Sequence, residues 1–206
     1  MMKYCVSTPN RGWVLQPKKP AGIKGRYDFN KMKKHEFEVG GKSDSNYATC
    51  PDTRKSVSGY HTTLEDVPVS ARSIMQKILA LSVTEAELYS AVQCAQDMLY
   101  VKHVIESLGL KVKLPMVLMV DNMATVHLAN NLTAAGRTRH VEVRQFFLRE
   151  LKTEGVLVVR WIAGTKNESD LFTKNLHGPL FTKHTRKFCG EDEYGRSETG
   201  SDLKNE

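Results

Sequence analysis

A seven-residue run, Leu114–Val120, is almost entirely apolar and stops abruptly at Asp121. A short apolar run of this length, followed at once by a charge, is typical of a central strand that is covered on both faces. Such a strand needs helices packed on the sheet. The run therefore predicts a central strand, and together with the order of the other elements it indicates a mixed α/β fold with helices packed on a sheet.

The patterns on either side of this run predict an order of three strands, a helix, a strand, two helices, a strand and a last helix. The other strands are predicted over Phe37–Tyr47, Val57–Thr63, Val67–Met75 and Val156–Ile162. The helices are predicted over Leu81–Leu108, Met123–Asn131 and His140–Glu154, with Asn167–Asn175 as the start of the last one.

One carboxylate of the long helix lies on its apolar face. Steps of three and four residues from Glu87 lead to Ala91, Cys94, Met98, Val101 and Ile105. Glu85 lies on a wetter face with Tyr89, Gln93 and Gln96. A carboxylate on the inward face is costly unless it is paired or binds a metal. Stabilisation of the helix start by an acidic side chain is the alternative explanation.

Three further acidic residues stand at informative places. Asp121 ends the central strand, where ligands gather in open α/β sheets, although it could instead cap the next helix. Asp44 lies inside the first strand, where an edge or a turn would also explain it. Asp170 begins the last predicted helix, where it could simply stabilise the helix dipole.

The four acids together suggest more than each one alone. Hard divalent cations prefer oxygen ligands, and paired metal ions can activate water and stabilise a leaving oxygen in phosphodiester cleavage. Carboxylates from a first strand, a long helix, a middle strand and a final helix could supply such a centre.

Composition excludes several other classes. The 206 residues carry a net charge of +7, and no apolar stretch approaches the length of a membrane span. The four cysteines form no CxxC pair, so neither a zinc site nor a disulfide framework is indicated, and a reducing interior is expected. The basic excess lies in the first 35 residues, which favours a polyanionic partner only weakly.

Six short strings lie between about residues 37 and 176: Ser43–Tyr47, Asp52–Tyr60, Ala80–Glu87, Val120–Asn122, Arg137–His140 and Ser169–Lys174. Each string is short, but the combination is specific. Its order resembles the ribonuclease H domain of copia-type LTR retrotransposon Pol polyproteins.

The resemblance implies an RNase H-like fold, a five-stranded mixed sheet flanked by helices. It implies a metal-dependent endoribonuclease that hydrolyses the RNA strand of RNA–DNA hybrids during reverse transcription, with two Mg²⁺ ions for which Mn²⁺ can substitute. Residue by residue, it assigns metal binding and catalysis to Asp44, Glu87, Asp121 and Asp170. It also implies a role for His140 near the scissile phosphate or in product release, with a hydrogen bond at a helix start as the alternative.

The sequence departs from the family pattern at three places. The first strand has Asp44-Ser45-Asn46 where the family usually has Asp-Ala-Asp. Glu142 replaces a common Asp, and Phe146 replaces a His further along the same helix. These changes leave the four acids intact. The departures at Asn46 and Phe146 instead favour the alternative function, a catalytically inactive nucleic-acid-binding remnant of a polyprotein. An inert pseudogene product is a third possibility.

Three segments are expected. Residues 1–36 are predicted to form a basic arm that resembles the end of the connection after the polymerase, residues 37–178 the RNase H-like domain, and residues 179–206 a polar, disordered tail. The expected partners are an RNA–DNA hybrid and the reverse transcriptase portion of the polyprotein. An intracellular location is expected, in a cytoplasmic virus-like particle or the nucleus.

Basic and polar side chains are the candidates for contacts with the nucleic acid, because phosphate contacts dominate such binding. In the domain these are Arg54, Lys55, Asn122, Arg137, Arg139 and Arg144. In the arm they are Lys18, Lys19, Lys31, Lys33 and Lys34, for which a solvated linker is the alternative.

Overall fold

Five strands form one mixed sheet in the computed structural model, which describes Trp13, Leu15, residues 32–130 and residues 139–189. In chain order these strands are β2 (Val39–Asn46), β3 (Val57–Leu64), β4 (Val67–Met75), β6 (Met116–Val120) and β7 (Leu157–Trp161). The spatial order is β4-β3-β2-β6-β7; β2 is antiparallel to β3 and parallel to β6. The predicted five-stranded mixed sheet is confirmed.

A small parallel pair lies beside this sheet. It joins β1 (Glu36–Phe37) to β5 (Lys111–Val112). The chain therefore enters the main sheet next to the segment that precedes β6.

The apolar run forms β6, which lies inside the sheet between β2 and β7. Met116, Leu118 and Val120 of this strand are buried, with Leu118 and Val120 fully inaccessible to solvent. Parallel pairing on both sides and burial of the apolar side chains explain why this strand lacks polar residues. The predicted central strand is confirmed, although Val117 and Met119 on its other face are only half-buried.

Helix α1 (Val83–Ser107) packs across β2 and β3. It begins at Ser82, whose hydroxyl accepts a hydrogen bond from Glu85 N at 3.1 Å. Gly41 of β2 allows the close contact, since a Cβ there would lie 2.6 Å from Met98 Sδ and 2.7 Å from Cys94 Sγ. The predicted apolar face of α1 is thus the one that meets the sheet.

Helices α2 (Met123–Asn130) and α3 (Arg139–Thr153) follow β6. Arg149 of α3 ties the two together, because its Nε donates to Leu128 O at 2.9 Å. Leu148 and Leu151 of α3 contribute to the same core as α1. These two helices agree with the predicted ones to within one residue at each end.

The end of the domain differs from the prediction. Asn167–Asn175 is not the start of the last helix; it contains a short 3₁₀ turn, Glu168–Phe172, preceded by another at Gly164–Lys166. The last helix, α4, spans Gly178–Cys189. Helix α4 buries His184, Thr185 and Phe188 against the domain, so these residues of the predicted tail are helical; the division into three segments stays a prediction.

Helix α4 lies on the face of the sheet opposite to α1, against β3 and β4. On β3, the Thr62 hydroxyl donates to Asp97 of α1 at 2.7 Å, whereas its neighbour His61 contacts Phe188 of α4 with ring centroids 5.2 Å apart. Successive side chains of a strand point to opposite faces, so α1 and α4 pack on opposite faces of the sheet.

The sequence indicated neither a membrane span nor a disulfide framework. None of the helices in the described part of the chain is both long and apolar enough to cross a membrane. Cys50, Cys94 and Cys189 are free thiols. Of the predicted arm, only Trp13, Leu15 and residues 32–36 are among the described residues. The tail after residue 189 is not among them.

Shortening the central strand's main core side chain should destabilise the fold. Leu118→Ala leaves a cavity inside β6 and should lower the free energy of unfolding by about 2–5 kcal/mol in urea denaturation. The matched control is Leu81→Ala, since Leu81 is 69% exposed, and its effect should stay within about 0.5 kcal/mol. Equal losses for the two variants would contradict a core centred on β6.

Candidate metal centre

Three carboxylates meet at one edge of the sheet. Ser43 of β2 is paired with Val120 of β6, so the residues that follow them, Asp44 and Asp121, lie at neighbouring strand ends. Glu87 reaches the same place from the first turns of α1. Ligand oxygens of Asp44, Glu87 and Asp121 all lie within 4.8 Å of one another. Parallel pairing of β2 and β6 therefore creates the cluster.

Asp121 is not the cap of the next helix. Asn122 has that role, because its Oδ1 accepts a hydrogen bond from Thr125 N at 3.0 Å. The carboxylate of Asp121 is half-buried and remains directed to the cluster. Burial and the nearby Asp44 raise its pKa above the ordinary value.

Glu87 is held from one side only. Its Oε1 accepts hydrogen bonds from Ser45 N at 3.1 Å and from Ser45 Oγ at 2.8 Å. Its Oε2 is buried and has no hydrogen-bond partner among the described residues. Burial, followed by the charges of Asp44 and Asp121, raises the pKa of Glu87 from 4.5 to about 8, against the lowering effect of Ser45. An ionised Glu87 therefore needs a cation.

Glu85 does not lie on a wet face as predicted. It is 5% exposed, and its Oε2 accepts a hydrogen bond from Leu81 N at 2.8 Å. Arg144 Nη1 of α3 lies 4.0 Å from its other oxygen. The Ser82 hydroxyl accepts from Glu85 N and the Glu85 carboxylate accepts from Leu81 N, a capping arrangement that takes Glu or Gln at this position.

Asp170 lies in the second 3₁₀ turn and joins the cluster through a lysine. Lys174 Nζ donates to Asp44 Oδ1 at 3.0 Å and to Asp170 Oδ1 at 3.1 Å. Burial and the charge of Asp44 raise the pKa of Asp170 to about 6. Burial lowers the pKa of Lys174, but the two carboxylates raise it more, so its ammonium stays charged.

The turn that contains Asp170 is packed tightly on β3 at Gly59, the residue paired with Asp44. A Cβ at Gly59 would lie 2.5 Å from Thr173 Cγ2, 2.9 Å from Phe172 Cβ and 2.9 Å from Ser169 O. No real side chain tolerates these distances without movement of the turn. The sequence analysis assigned no role to Gly59, although this residue belongs to the string Asp52–Tyr60.

Four hydrogen bonds fix the same turn. Asn167 Nδ2 donates to Ser43 O at 2.9 Å, and Ser73 Oγ donates to Phe172 O at 2.6 Å. Asn46 Nδ2 donates to Thr173 O at 3.0 Å, and the Thr173 hydroxyl donates to the Asp44 carboxylate. The amide of Asn46 explains one departure from the family pattern, because a carboxylate there could not donate to a carbonyl. Asn46 stabilises the site without adding another charge.

Phe146, another departure from the family pattern, lies on the surface. Phe146 is 63% exposed on α3, with the Arg149 guanidinium 5.9 Å from its ring centroid. Nothing in the described structure joins Phe146 to the carboxylates.

The predicted nucleic-acid contacts fall into different surroundings. Arg54 is exposed and Lys55 half-buried, in the turn that continues β2 beyond the carboxylates. Arg144 is only 17% exposed and lies over the Tyr89 ring, 4.7 Å from its centroid. Arg139 and His140 begin α3 but their side chains lie outside the description, as does Arg137 entirely. The roles of these residues stay predictions.

The donor set fits a divalent cation. All the converging atoms are carboxylate oxygens, the ligands that Mg²⁺ and Mn²⁺ prefer, and Glu87 Oε2 lacks a partner of its own. Among the described residues this is the one group of three or more acidic, His or Cys side chains placed closely enough to hold an ion.

Curated relatives of the chain are Pol polyproteins of plant transposons. The chain is 34% identical over 134 residues to the retrovirus-related Pol polyprotein from transposon TNT 1-94 of Nicotiana tabacum, covering 65% of this chain and 10% of that protein. It is 27% identical over 187 residues to the one from transposon RE1 of Arabidopsis thaliana, covering 91% and 12%. The chain thus spans about a tenth of the length of these relatives. No protein-family model matches it.

A solved structure with the same fold is LC11-RNase H1, isolated from compost by a metagenomic approach. The TM-score is 0.51 at 14% identity, covering 66% of this chain and 92% of the other. This likeness shows the fold. With the polyprotein matches, it confirms the resemblance to the ribonuclease H domain of copia-type Pol polyproteins.

A methyl group at Gly59 should disturb the site. Gly59→Ala forces the Asp170 turn away from β3 and should lower the free energy of unfolding by about 1–3 kcal/mol. A crystal structure of the variant should show a longer Asp44–Asp170 separation. Gly178→Ala is the control, because a Cβ there meets nothing within 4 Å. It should change stability by less than about 1 kcal/mol. An unchanged turn in Gly59→Ala would contradict the close-packing argument.

Stability without metal should fall as the pH rises. Because the pKa of Glu87 is raised from 4.5 to about 8 on folding, its contribution is present at pH 4.5 and is lost as the pH approaches 8. Asp121 and Asp170 act in the same direction. The melting temperature in EDTA should therefore decline over this window, and Glu87→Gln should make the decline shallower. A Gln variant with the same slope as the wild type would show that Glu87 is not the group involved.

Proposed function

We propose that this chain, a relative of retrotransposon Pol polyproteins with the ribonuclease H fold, is a metal-dependent endoribonuclease that hydrolyses the RNA strand of RNA–DNA hybrids. The observation that supports this most is the convergence of Asp44, Glu87 and Asp121 oxygens within 4.8 Å at one edge of the sheet. Substrate and reaction are carried over from the resemblance, since copying a retroelement through DNA produces such hybrids.

Asp44, Glu87 and Asp121 would hold the metal, with Asp170 completing the set. Mg²⁺ is the proposed ion, and Mn²⁺ can substitute because it accepts the same oxygen ligands. Two bound ions would supply activation of a water molecule and stabilisation of the leaving oxygen.

The chain's own residues would prepare the site for this charge. Ser45 holds one oxygen of Glu87, and the other oxygen has no hydrogen-bond partner among the described residues. Lys174 offsets the charges of Asp44 and Asp170 before a cation binds, and its 38% exposed side chain can turn to solvent without unpacking the core. The buried Asp44 keeps its geometry through Thr173 and β2.

The hybrid would lie across the edge of the sheet where the carboxylates converge. Arg54 and Lys55 lie in the turn beyond β2 at this edge and would contact phosphates. Asn122, Arg137, Arg139 and Arg144 are further candidates, and His140 is proposed to act near the scissile phosphate or in product release. Recognition would depend on helix shape and 2′-hydroxyl groups rather than on base sequence.

The alternative is a domain that binds hybrids without cutting them. Asn46 favours it, because this residue replaces a family carboxylate and is used to donate to Thr173 O at 3.0 Å. The reverse transcriptase portion of the same polyprotein is the proposed protein partner in either case, and an intracellular location is proposed with it.

Cleavage of a labelled hybrid tests the proposal. The full chain should cut the RNA strand in Mg²⁺ or Mn²⁺ and not in EDTA, and it should spare single-stranded RNA and duplex DNA. Asp121→Asn removes one ligand charge and should reduce the rate at least about 100-fold, because even the partners that orient metal ligands typically contribute about 10–100-fold.

The control for charge is Asp52→Asn, an exposed turn residue outside the carboxylate cluster, which should retain wild-type activity. Folded wild-type protein that binds the hybrid but never cleaves it, in either metal, would support the non-catalytic alternative. Equal activity of Asp121→Asn and wild type would contradict the proposed role of Asp121 as a metal ligand.

A further inference from the structure

We propose that Trp13 is a positioning residue for Asp170, so that the segment before the sheet forms part of the metal centre's support. This inference rests on the proposed function of the carboxylates as metal ligands. Trp13 lies in the basic arm, which the sequence placed outside the domain. The described structure instead seats its side chain on two elements of the domain.

The indole of Trp13 makes one directional contact with β4 and one with α4. Trp13 Nε1 donates a hydrogen bond to Pro68 O of β4 at 2.8 Å. The indole meets the ring of Phe188 of α4 edge-to-face, with centroids 5.7 Å apart and an interplanar angle of 90°. A directional hydrogen bond and an aromatic contact together fix both the position and the tilt of the ring.

Phe188 connects Trp13 to the turn that contains Asp170. Its ring lies edge-to-face against Phe172, with centroids 5.2 Å apart, and against His61 at the same separation. Phe172 ends the 3₁₀ turn, two residues after Asp170. Thr173 N and Lys174 N both donate to Asp170 O, at 3.2 and 2.9 Å, so the turn moves as one unit.

On this side the turn is not fully packed. A cavity of about 370 Å³ lies next to it, lined by Trp13, Leu171, Phe172, Leu176, Phe181 and Phe188 among others. Open space on one side of Phe172 means that the Phe188 ring limits its movement. Trp13 in turn limits the movement of Phe188, which is 8% exposed with the indole in place.

The consequence concerns metal affinity rather than folding alone. The backbone of the Asp170 turn is already fastened at Gly59, Ser73 and Asn46, so loss of the indole should not release it completely. It should instead widen the range of positions of Asp170 relative to Asp44. Residues that orient metal ligands typically affect affinity about 10–100-fold when they touch the ligand, so a residue two contacts away should have an effect of about 3–10-fold.

The experiment compares Trp13→Ala and Trp13→Phe in the full chain. The dissociation constant for Mn²⁺ is measured by titration calorimetry, and the Mg²⁺ concentration for half-maximal hybrid cleavage is measured in parallel. Trp13→Ala should weaken Mn²⁺ binding and raise the Mg²⁺ requirement about 3–10-fold, because the effect acts through one ligand. Trp13→Phe keeps the ring contact with Phe188 and should restore most of the affinity.

Two controls separate positioning from stability. Leu15→Ala removes a neighbouring side chain of the same segment that is 68% exposed, and it should leave Mn²⁺ binding unchanged. Leu151→Ala destabilises the core at α3, and at a temperature where it is fully folded it should bind Mn²⁺ like the wild type.

Unchanged Mn²⁺ binding in a folded Trp13→Ala protein would overturn the inference, even if its melting temperature fell. So would an equal loss in Trp13→Ala and Leu151→Ala. If the wild type binds Mn²⁺ but cleaves no hybrid, the proposed function fails while the calorimetric comparison still decides the role of Trp13.

Discussion

The mutual repulsion of buried carboxylates governs the architecture of this domain. Two unit charges 4 Å apart interact by about 4 kcal/mol at the effective dielectric of a protein near its surface. Asp44, Glu87 and Asp121 have oxygens within 4.8 Å of one another, so repulsion among three ionised groups would consume much of a net stability of about 5–15 kcal/mol. The protein limits this cost by protonation of Glu87, by Lys174 and, as proposed, by divalent cations.

The rest of the fold holds these groups together against that repulsion. The parallel pairing of β2 and β6 fixes Asp44 beside Asp121, and burial of α1 on Gly41 brings Glu87 over them. Gly59 admits the Asp170 turn to van der Waals distance of β3. Each support is short-range and rigid, as a site that must hold like charges in place requires.

Much of this could be predicted from local patterns. The apolar run before Asp121 located the central strand, and the helical period selected Glu87 as the inward-facing acid. The same period wrongly predicted that Glu85 is exposed to solvent. Its side chain folds back to cap the start of α1, and Arg144 of the neighbouring helix α3 lies beside it. Helix α4 was missed since its few apolar residues, among them Phe188, lie in a polar segment. The roles of Gly59, Lys174 and Trp13 depend on contacts between distant parts of the chain, which periodicity does not report.

The central claim is that these buried carboxylates are kept together to bind divalent cations. The most direct measurement is an anomalous difference map from crystals of the full chain soaked in Mn²⁺. The account predicts density among the oxygens of Asp44, Glu87 and Asp121, with Lys174 displaced from Asp44, and no such density in Asp121→Asn crystals. Crystals that bind Mn²⁺ elsewhere, or none at saturating concentration, with Lys174 still bound to Asp44 and Asp170, would contradict it.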